Sequence, residues 1–487
     1  MYDYRKVLIY KSNVFCYPNK DFSFSPSTDY PEYQFKEIAA EENAIYALIR
    51  ESFRFLGYDK DNFGAENWNP LGEYIKPGDT VLIKPNLVLE KNQKPENGTD
   101  CLITHASIIR AVADYALIAL KGTGKLIIGD APLQSCDFEA LCSEQGLNKI
   151  LGFYSEHGVK TDVELCDFRN FKSKQVGAVL VEQPTDNSAQ GITVDLAENS
   201  AFSGIPKQRY KNLRVTNYPH RIMRKHHKPG KNEYIVAKKA LEADVIISMP
   251  KPKTHRFAGV TISMKNFVGI VANKECLPHH SIGSFEDFGD EYEKRSLAKK
   301  TYARIVDLRN IYMRKGRIKT TQFLRVVEGK FAKLFGVRIA ALVGSWHGND
   351  TIWRTIIDLN KIIKFADKDG VLCDNPQRKI LIIGDMIISG HETGPLSPTP
   401  LDVGVMAIGD DVVCFDEAVC AYMGFDYSKI PTIRNARDIL GKYVFSSPAK
   451  TRIVSNHLEL NEKLPSELTT DISARFIPNP AWKDFLS

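Results

Sequence analysis

The chain has 487 residues, 43% of them hydrophobic and 25% charged, with 32 Gly and 24 Pro, a balance that excludes disorder, collagen-like repeats and fibres and fits a globular protein. A formal net charge of +6 is too mild to argue for nucleic acid, and no nucleic-acid partner is expected. The charge is uneven: residues 291–338 hold 14 Lys/Arg against 4 Asp/Glu, a local +10 that leaves about −4 for the rest.

In chain order, residues 6–10 (KVLIY) read as a short strand, followed by a Pro/Ser/Asp/Tyr-rich loop over 17–33. Ile45, Leu48, Ile49, Phe53 and Leu56 recur at helical spacing, and Gly57 stands where a helix C-terminus needs a left-handed residue. Short β-rich apolar runs then alternate with loops and helices: DTVLIK (79–84), KLIIGD (125–130), DVIISMP (244–250) and KILIIGD (379–385), with helices at 106–120 and 356–366. This alternation predicts an α/β fold of mostly parallel strands flanked by helices, and at this length two lobes are expected. The expected organisation is an N-terminal strand, loop and helix on the core (1–78), a first lobe (79–290), a basic helical insertion (291–338), a second lobe (339–430) and a polar tail (431–487).

The insertion reads as two helices joined around Gly316, with Ala303, Ile305, Leu308 and Ile311 near one face and cations on the other. A solvated hairpin outside the core, a lid over a cleft, and a peripheral contact with anionic lipid headgroups all fit this pattern.

Each of the four strands ends in a polar group, at Lys84, Asp130, Lys251 and Asp385. Open α/β sheets bind ligands beyond the carboxyl ends of their strands, so Lys84, Asp130 and Lys251 are expected to share one crevice. The densest polar stretch follows the third strand, where Lys251, Lys253, His255, Lys265, Asn266, His279 and His280 fall within about 30 residues, punctuated by Gly259, Gly269 and Gly283. Imidazoles ligate metals or move protons near neutral pH, and a desolvated lysine serves as base, nucleophile or anion clamp. Taken singly, each is as well explained as a hydrogen-bonded structural residue.

Two later stretches add candidates. GSWHGNDTIWR (344–354) places Trp346, His347, Asn349, Asp350, Trp353 and Arg354 on a loop entering a helix; it reads as a binding platform or as a helix cap supplied by Asp350 or Thr351. GDMIISGHETGP (384–395) carries Asp385, His391 and Glu392 in a Gly/Pro-rich loop able to close over a crevice. Nine cysteines without a C-x-x-C pair give neither a disulfide framework nor an iron–sulfur motif, which fits a reducing cytoplasm. No apolar run approaches ~18 residues, so no membrane span is expected. P-loop, H-E-x-x-H and G-x-S-x-G motifs are absent.

The runs VLIKPNLV, KLIIGDAP, ADVIISMPKPKTH, GVTISMKNFVGI, KECLPHHSIGS, GSWHGNDTIWRTIIDLNK and GDMIISGHETGPLSPTP, spread over roughly residues 79–427, resemble the bacterial family called domain of unknown function 362. Some of its members carry an iron–sulfur module, which this chain lacks the cysteines to hold. The layout of 242–281 is also similar to the lactate racemase family, whose histidines and lysine hold a nickel-bearing, lysine-linked nicotinic acid cofactor; the matching positions are His255, Lys265 and His280. Lys265 is followed here by Asn266 and Phe267, not by the proline-rich run of the racemases.

Together these readings predict an enzyme for a small anionic substrate: a hydroxy acid, sugar or sugar phosphate. Lys265, His255 and His280 are the expected catalytic residues, and His255, His279 and His280 the expected ligands for a divalent metal; a Lys-linked organic cofactor on Lys265 is the other expectation. Substrate contacts are assigned to Lys84, Asn86, Asp130, Lys251, Lys253, Asn266, Trp346, His347, Asn349, Asp350, Arg354, Asp385 and Glu392. By the racemase spacing His280 reaches the site rather than His279, since neighbours on extended backbone point opposite ways. The competing reading is a non-catalytic accessory of surface-polysaccharide assembly that binds an anionic glycan or lipid headgroup.

Overall fold

A computed structural model describes residues 4–19, 23–176, 179–185, 190–216, 218–337, 343–439 and 442–486. Its centre is one twisted sheet. In chain order the strands are β1 (Tyr4–Lys11), β2 (Thr80–Pro85), β3 (Lys125–Asp130), β4 (Asp162–Asp167), β5 (Val245–Met249), the short β6 (Lys253–His255) and β7 (Gly259–Thr261), β8 (Lys379–His391), β9 (Thr399–Gly409) and β10 (Lys450–Val454). The spatial order is β10-β1-β9-β8-β5-β2-β3-β4, with the β6/β7 hairpin attached to the end of β8. Along that order all neighbours run parallel except at β9, which pairs antiparallel with β1 and with β8, and the attached β6/β7 hairpin is itself antiparallel.

The expected mostly parallel sheet flanked by helices is therefore present. The strands assigned to separate lobes, however, are hydrogen-bonded neighbours: Val245–Ser248 of β5 pairs with Val81–Lys84 of β2 on one side and with Lys379–Ile382 of β8 on the other. The physical reason is visible in β5 itself, whose five residues are all buried. A strand buried on both faces needs a neighbour at each edge and a helix layer above and below.

Helices α1 (Ala44–Phe55) and α2 (Ala106–Leu120) cover one face. Asn43 caps α1 by accepting from the Tyr46 amide at 3.2 Å, and Gly57 follows the helix with φ +75°, as its position in the sequence predicts. The opposite face is covered by α3 (Ser263–Asn266), a single helical turn, and by the longer helices described below. The basic segment folds as two helices, α4 (Leu297–Arg314) and α5 (Ile318–Leu334), that pack on each other through Ala298, Tyr302, Val306, Phe331 and Ala332, in a cluster separate from the main core. Helices α6 (Ile352–Phe365) and α7 (Val412–Tyr422) complete the far layer.

The tail is more structural than its polar composition suggests. β10 extends the sheet at its edge, and Trp482, fully buried, donates its indole N–H to the Arg256 carbonyl at 2.9 Å. Trp482 and Ile430 also close against Gly259, which turns the β6/β7 hairpin at φ +79°; a Cβ there would stand 2.8 Å from Ile430.

Candidate functional site

The carboxyl ends of β2 and β3 deliver Lys84 and Asp130 to the floor of a partly open cavity of about 260 Å³. Their ion pair is 2.8 Å long and buried. The Lys84 ammonium also donates to the Pro85 carbonyl at 2.6 Å and to Asn266 Oδ1 at 3.2 Å, while the Asn266 amide donates to the Lys84 carbonyl and to Ser248 Oγ, each at 3.0 Å. Asp130 in turn accepts the Leu87 amide at 2.6 Å. Gly269 passes directly over this pair, and a Cβ at that position would fall 1.9 Å from Asp130 Oδ1. The close backbone approach anticipated at Gly269 is thus real.

The β6/β7 hairpin and the chain beyond it supply the rest of the wall: Lys253, His255, Arg256, Lys265, Lys274 and His279. Lys253 donates to Asn86 Oδ1 at 3.2 Å and to the Leu102 carbonyl, and Lys274 to the Val268 carbonyl at 3.0 Å. Lys265, half-buried, has no hydrogen-bond or ion-pair partner among the described residues, and the Nε of Arg256 is buried and unbonded. Gln134 and Thr261 also line this space, and both polar ends of the Gln134 amide and the Thr261 hydroxyl are buried without partners. Five cationic side chains thus surround a space with one carboxylate, Asp130, already committed to Lys84.

That imbalance sets the protonation states. Burial, with the neighbouring Lys265 next, pushes Lys253 down to about 7; burial alone pushes Lys265 down to about 8; burial brings Lys274 to about 7, with Asp130 opposing. Burial and then Lys265 hold His255 well below its ordinary value, and burial brings His279 to about 4. Lys265 helps to depress Lys253, His255, Lys274 and His279, and at Lys253 and His255 it is second only to burial.

The two imidazoles are held as opposite tautomers. His255 Nδ1 accepts from the backbone amides of Phe257 and Ala258 at 3.0 and 3.2 Å, so its proton is on Nε2. His279 Nδ1 lies 2.8 Å from the Leu277 carbonyl and must donate to it, which leaves a lone pair on Nε2. His280 does not join them. It lines a second cavity of about 490 Å³ under the basic hairpin, and Val215, Thr216, Tyr218 and Arg256 line both cavities. One imidazole reaches the Lys265 site, as backbone alternation requires, but it is His279.

The expected metal set is consequently not assembled. His280 stands in the other compartment, the Nδ1 lone pair of His255 is taken by backbone amides, and no three His, Cys, Asp or Glu side chains gather as a metal site among the described residues. The donor set does not fit a divalent metal or a nickel-bearing cofactor.

Several other expected contacts lie away from the cavity. Lys251 is paired with Asp385 at 2.8 Å, both fully buried, and Tyr17 from the N-terminal loop bonds to both at 2.7 and 2.5 Å. Asp385 also accepts the His105 amide at 3.0 Å. Lys251 therefore does not share the crevice with Lys84 and Asp130, because a buried ammonium without a partner is costly and this one found a carboxylate. The 344–354 loop is clamped as structure. Trp346 donates to the Asp290 carbonyl at 2.9 Å, and Asp350 is gripped by Arg209, Trp353 and Arg354. Asn349, rather than Asp350 or Thr351, caps α6 by accepting the Thr351 and Ile352 amides at 3.0 and 2.9 Å. His347 stacks on Phe485 with ring centroids 4.6 Å apart. The Glu392 carboxylate accepts from Thr399 at 2.6 Å and His391 Nδ1 from the Ile477 amide at 3.3 Å; only Pro395 and Leu396 of that loop line the cavity.

Sequence reasoning missed Arg256, Lys274, Gln134 and Asp416. The last is buried on α7 and accepts the backbone amides of Ser263 at 2.8 Å and Met264 at 3.2 Å, fixing the turn that presents Lys265 and Asn266. No local signal marks it, since its partners lie about 150 residues away in sequence.

Comparison with known proteins agrees with the resemblance to the domain of unknown function 362 family. A family model described as domain of unknown function (DUF362) matches residues 169–421, just over half of the chain. The match contains the β6/β7 hairpin, Lys265 and His279 but not Lys84 or Asp130. A thylakoid-associated protein of Synechocystis sp. is 26% identical over 204 residues, covering 42% of this chain and 43% of that protein's length.

Proposed function

The chain belongs to the domain of unknown function 362 family, and on that premise we propose that it is an enzyme that takes a small anionic substrate into the Lys/His cavity and moves a proton on it. The observation that carries this reading is the half-buried Lys265 amine, which lines the cavity with Lys253, Lys274 and Arg256 and has no partner among the described residues. A cavity this rich in cations, with its one carboxylate already paired, favours an anion in it. A 2-hydroxy acid or a sugar phosphate matches the charge, and about 260 Å³ limits the portion held here to a few heavy atoms beyond the anionic group.

In this reading Lys253, Lys274 and Arg256 hold the anionic group, with the free Gln134 amide beside them. Lys265, near 8, is substantially neutral at slightly alkaline pH and takes a proton from the carbon next to the carboxylate or carbonyl. The His255 Nε2–H donates to the oxygen on which negative charge develops, and the His279 Nε2 lone pair is the second acceptor. Asp130 keeps Lys84 charged and in place. The reading involves no metal, because the donor set does not fit one. Nine free cysteines suit a cytoplasmic setting, and the name of the Synechocystis relative supports a location close to a membrane.

The test is proton exchange. The protein is incubated in D₂O with lactate, malate, gluconate or glucose 6-phosphate, and the carbon-bound proton is followed by NMR. Exchange on at least one of these, lost in Lys265→Met, is expected. If none exchanges while sulfate binds with Lys265-dependent affinity, the enzymatic reading fails and a non-catalytic anion binder, such as a glycan-assembly accessory, replaces it.

A further inference from the structure

The outer side of the basic hairpin carries a second and independent message. Helix α5 exposes Phe323 (66%), Val326 (55%) and Leu334 (77%), and Phe335 (54%) follows directly after it. Positions 323, 326, 330 and 334 fall on one stripe of a helix, and the remaining member, Lys330, is a cation. Lys319, Arg325, Lys330 and Lys333 are all exposed and have no ion-pair partner among the described residues. The one acid of α5, Glu328, is turned inward, where it accepts from Tyr302 at 2.7 Å and Arg309 at 2.8 Å. The face that α5 presents to its surroundings is thus apolar and cationic, with no carboxylate of its own.

Scattered exposed apolar residues need no explanation, but large ones gathered on one helix among unpaired cations do. Two copies of this face would set cations against cations, so self-association is opposed by charge. A bilayer surface with anionic lipids satisfies both features at once: phenyl and aliphatic side chains enter the boundary between headgroups and acyl chains, and Lys and Arg meet phosphates. We propose that α5 docks this protein, lying flat, on membranes that contain anionic phospholipid. Phe323, Val326, Leu334 and Phe335 enter the interface, and Lys319, Arg325, Lys330 and Lys333 contact the headgroups. The attachment is peripheral; among the described residues no helix is long and apolar enough to cross a membrane. It also has a geometric consequence, since Tyr302, Ala303 and Asp307 of α4 wall the second cavity and so hold that compartment just behind the docking face.

The experiment is flotation of the full chain with vesicles of phosphatidylcholine alone or mixed with phosphatidylglycerol. Binding to the mixed vesicles that weakens with salt, and little binding to pure phosphatidylcholine, is expected. The variant K319E/K330E/K333E should lose about a hundredfold in partitioning to the mixed vesicles, and F323S/L334S should lose binding even at low salt. Both should keep the wild-type circular dichroism and sulfate affinity, because neither set of residues touches the core or the cavity. Flotation that is absent for the wild type, or unchanged in both variants, overturns the proposal. So does a dimer that F323S/L334S dissolves without any vesicle binding, which would assign the face to a second copy. None of these outcomes bears on the proton-exchange assay, so the two proposals stand or fall separately.

Discussion

Two sets of lysines that follow the central strand β5 in the chain, Lys251 on one side and Lys253 and Lys265 on the other, meet opposite fates. Lys251 is sealed by Asp385 and Tyr17, with both charges fully buried. Lys253, only two residues on, has a carbonyl and a side-chain amide for company, and Lys265 has no partner at all among the described residues. Both sets lose water, Lys251 completely and Lys265 in part, but only in the first does the fold itself supply the counter-charge. A cation that the protein completes is architecture; the ones it leaves incomplete are where we propose that a ligand binds.

The comparison is broken most severely at the completed pair. Asp385→Ala leaves the Lys251 ammonium buried without its partner and is expected to destabilise the protein by about 3–5 kcal/mol, measured by urea unfolding. The corresponding change in the cavity, Lys265→Met, replaces an unpartnered polar group by an apolar one of similar length. Its stability should stay within about 1 kcal/mol of wild type, or rise, while sulfate affinity, measured by calorimetry, falls about tenfold or more for the lost charge-assisted contact. If Lys265→Met unfolds the chain as Asp385→Ala does, the contrast between the two sets is wrong.

A pH series sharpens the same contrast with a smaller effect. Lys253, Lys265 and Lys274 stand at about 7, 8 and 7 in the folded state, below the ~10.4 of an unperturbed lysine. Between those values the unfolded chain binds more protons than the folded one, so stability must rise with pH. In the absence of anions the melting temperature is therefore expected to increase from pH 7.5 to 9. Sulfate, whose charge is constant over that range, should flatten the slope by drawing the lysines back to their charged forms. Glu275 and Glu291, raised to about 7 by burial, lose stability as pH rises toward 7 and so act below this window.

The smallest effect belongs to the loop once expected to face the ligand. Glu392→Gln keeps an acceptor for Thr399 and should change both stability and sulfate affinity by less than about 0.5 kcal/mol, checked by the same two measurements. A large loss of affinity would return Glu392 to the site.

Much of this was legible in the residues. The apolar runs at 79–84, 125–130, 244–250 and 379–385 all became strands, and the helix expected at 106–120 formed at Ala106–Leu120. The polar stretch after β5 does supply most of the cavity wall. The choice between His279 and His280 was not legible: alternation says that one of two neighbours faces a site, but which one depends on how the chain between Gly269 and the second cavity is laid down. The reading of Asp385 as a ligand contact failed for a related cause, because Tyr17, whose hydroxyl helps to enclose it, comes from a loop 368 residues earlier.

The sequence by itself determined the elements and the inventory: periodicity and turn residues act over a few positions, so an α/β sheet, a basic helical hairpin and a Lys/His-rich segment follow from local order alone. Tertiary structure decided which charges are answered. Lys251 finds Asp385, Lys84 finds Asp130, the Ser263 and Met264 amides find Asp416, and Lys265 finds none among the described residues. Whether a buried charge is neutralised depends on groups brought from elsewhere in the chain into a region of low dielectric, and that is settled only when the sheet closes around them.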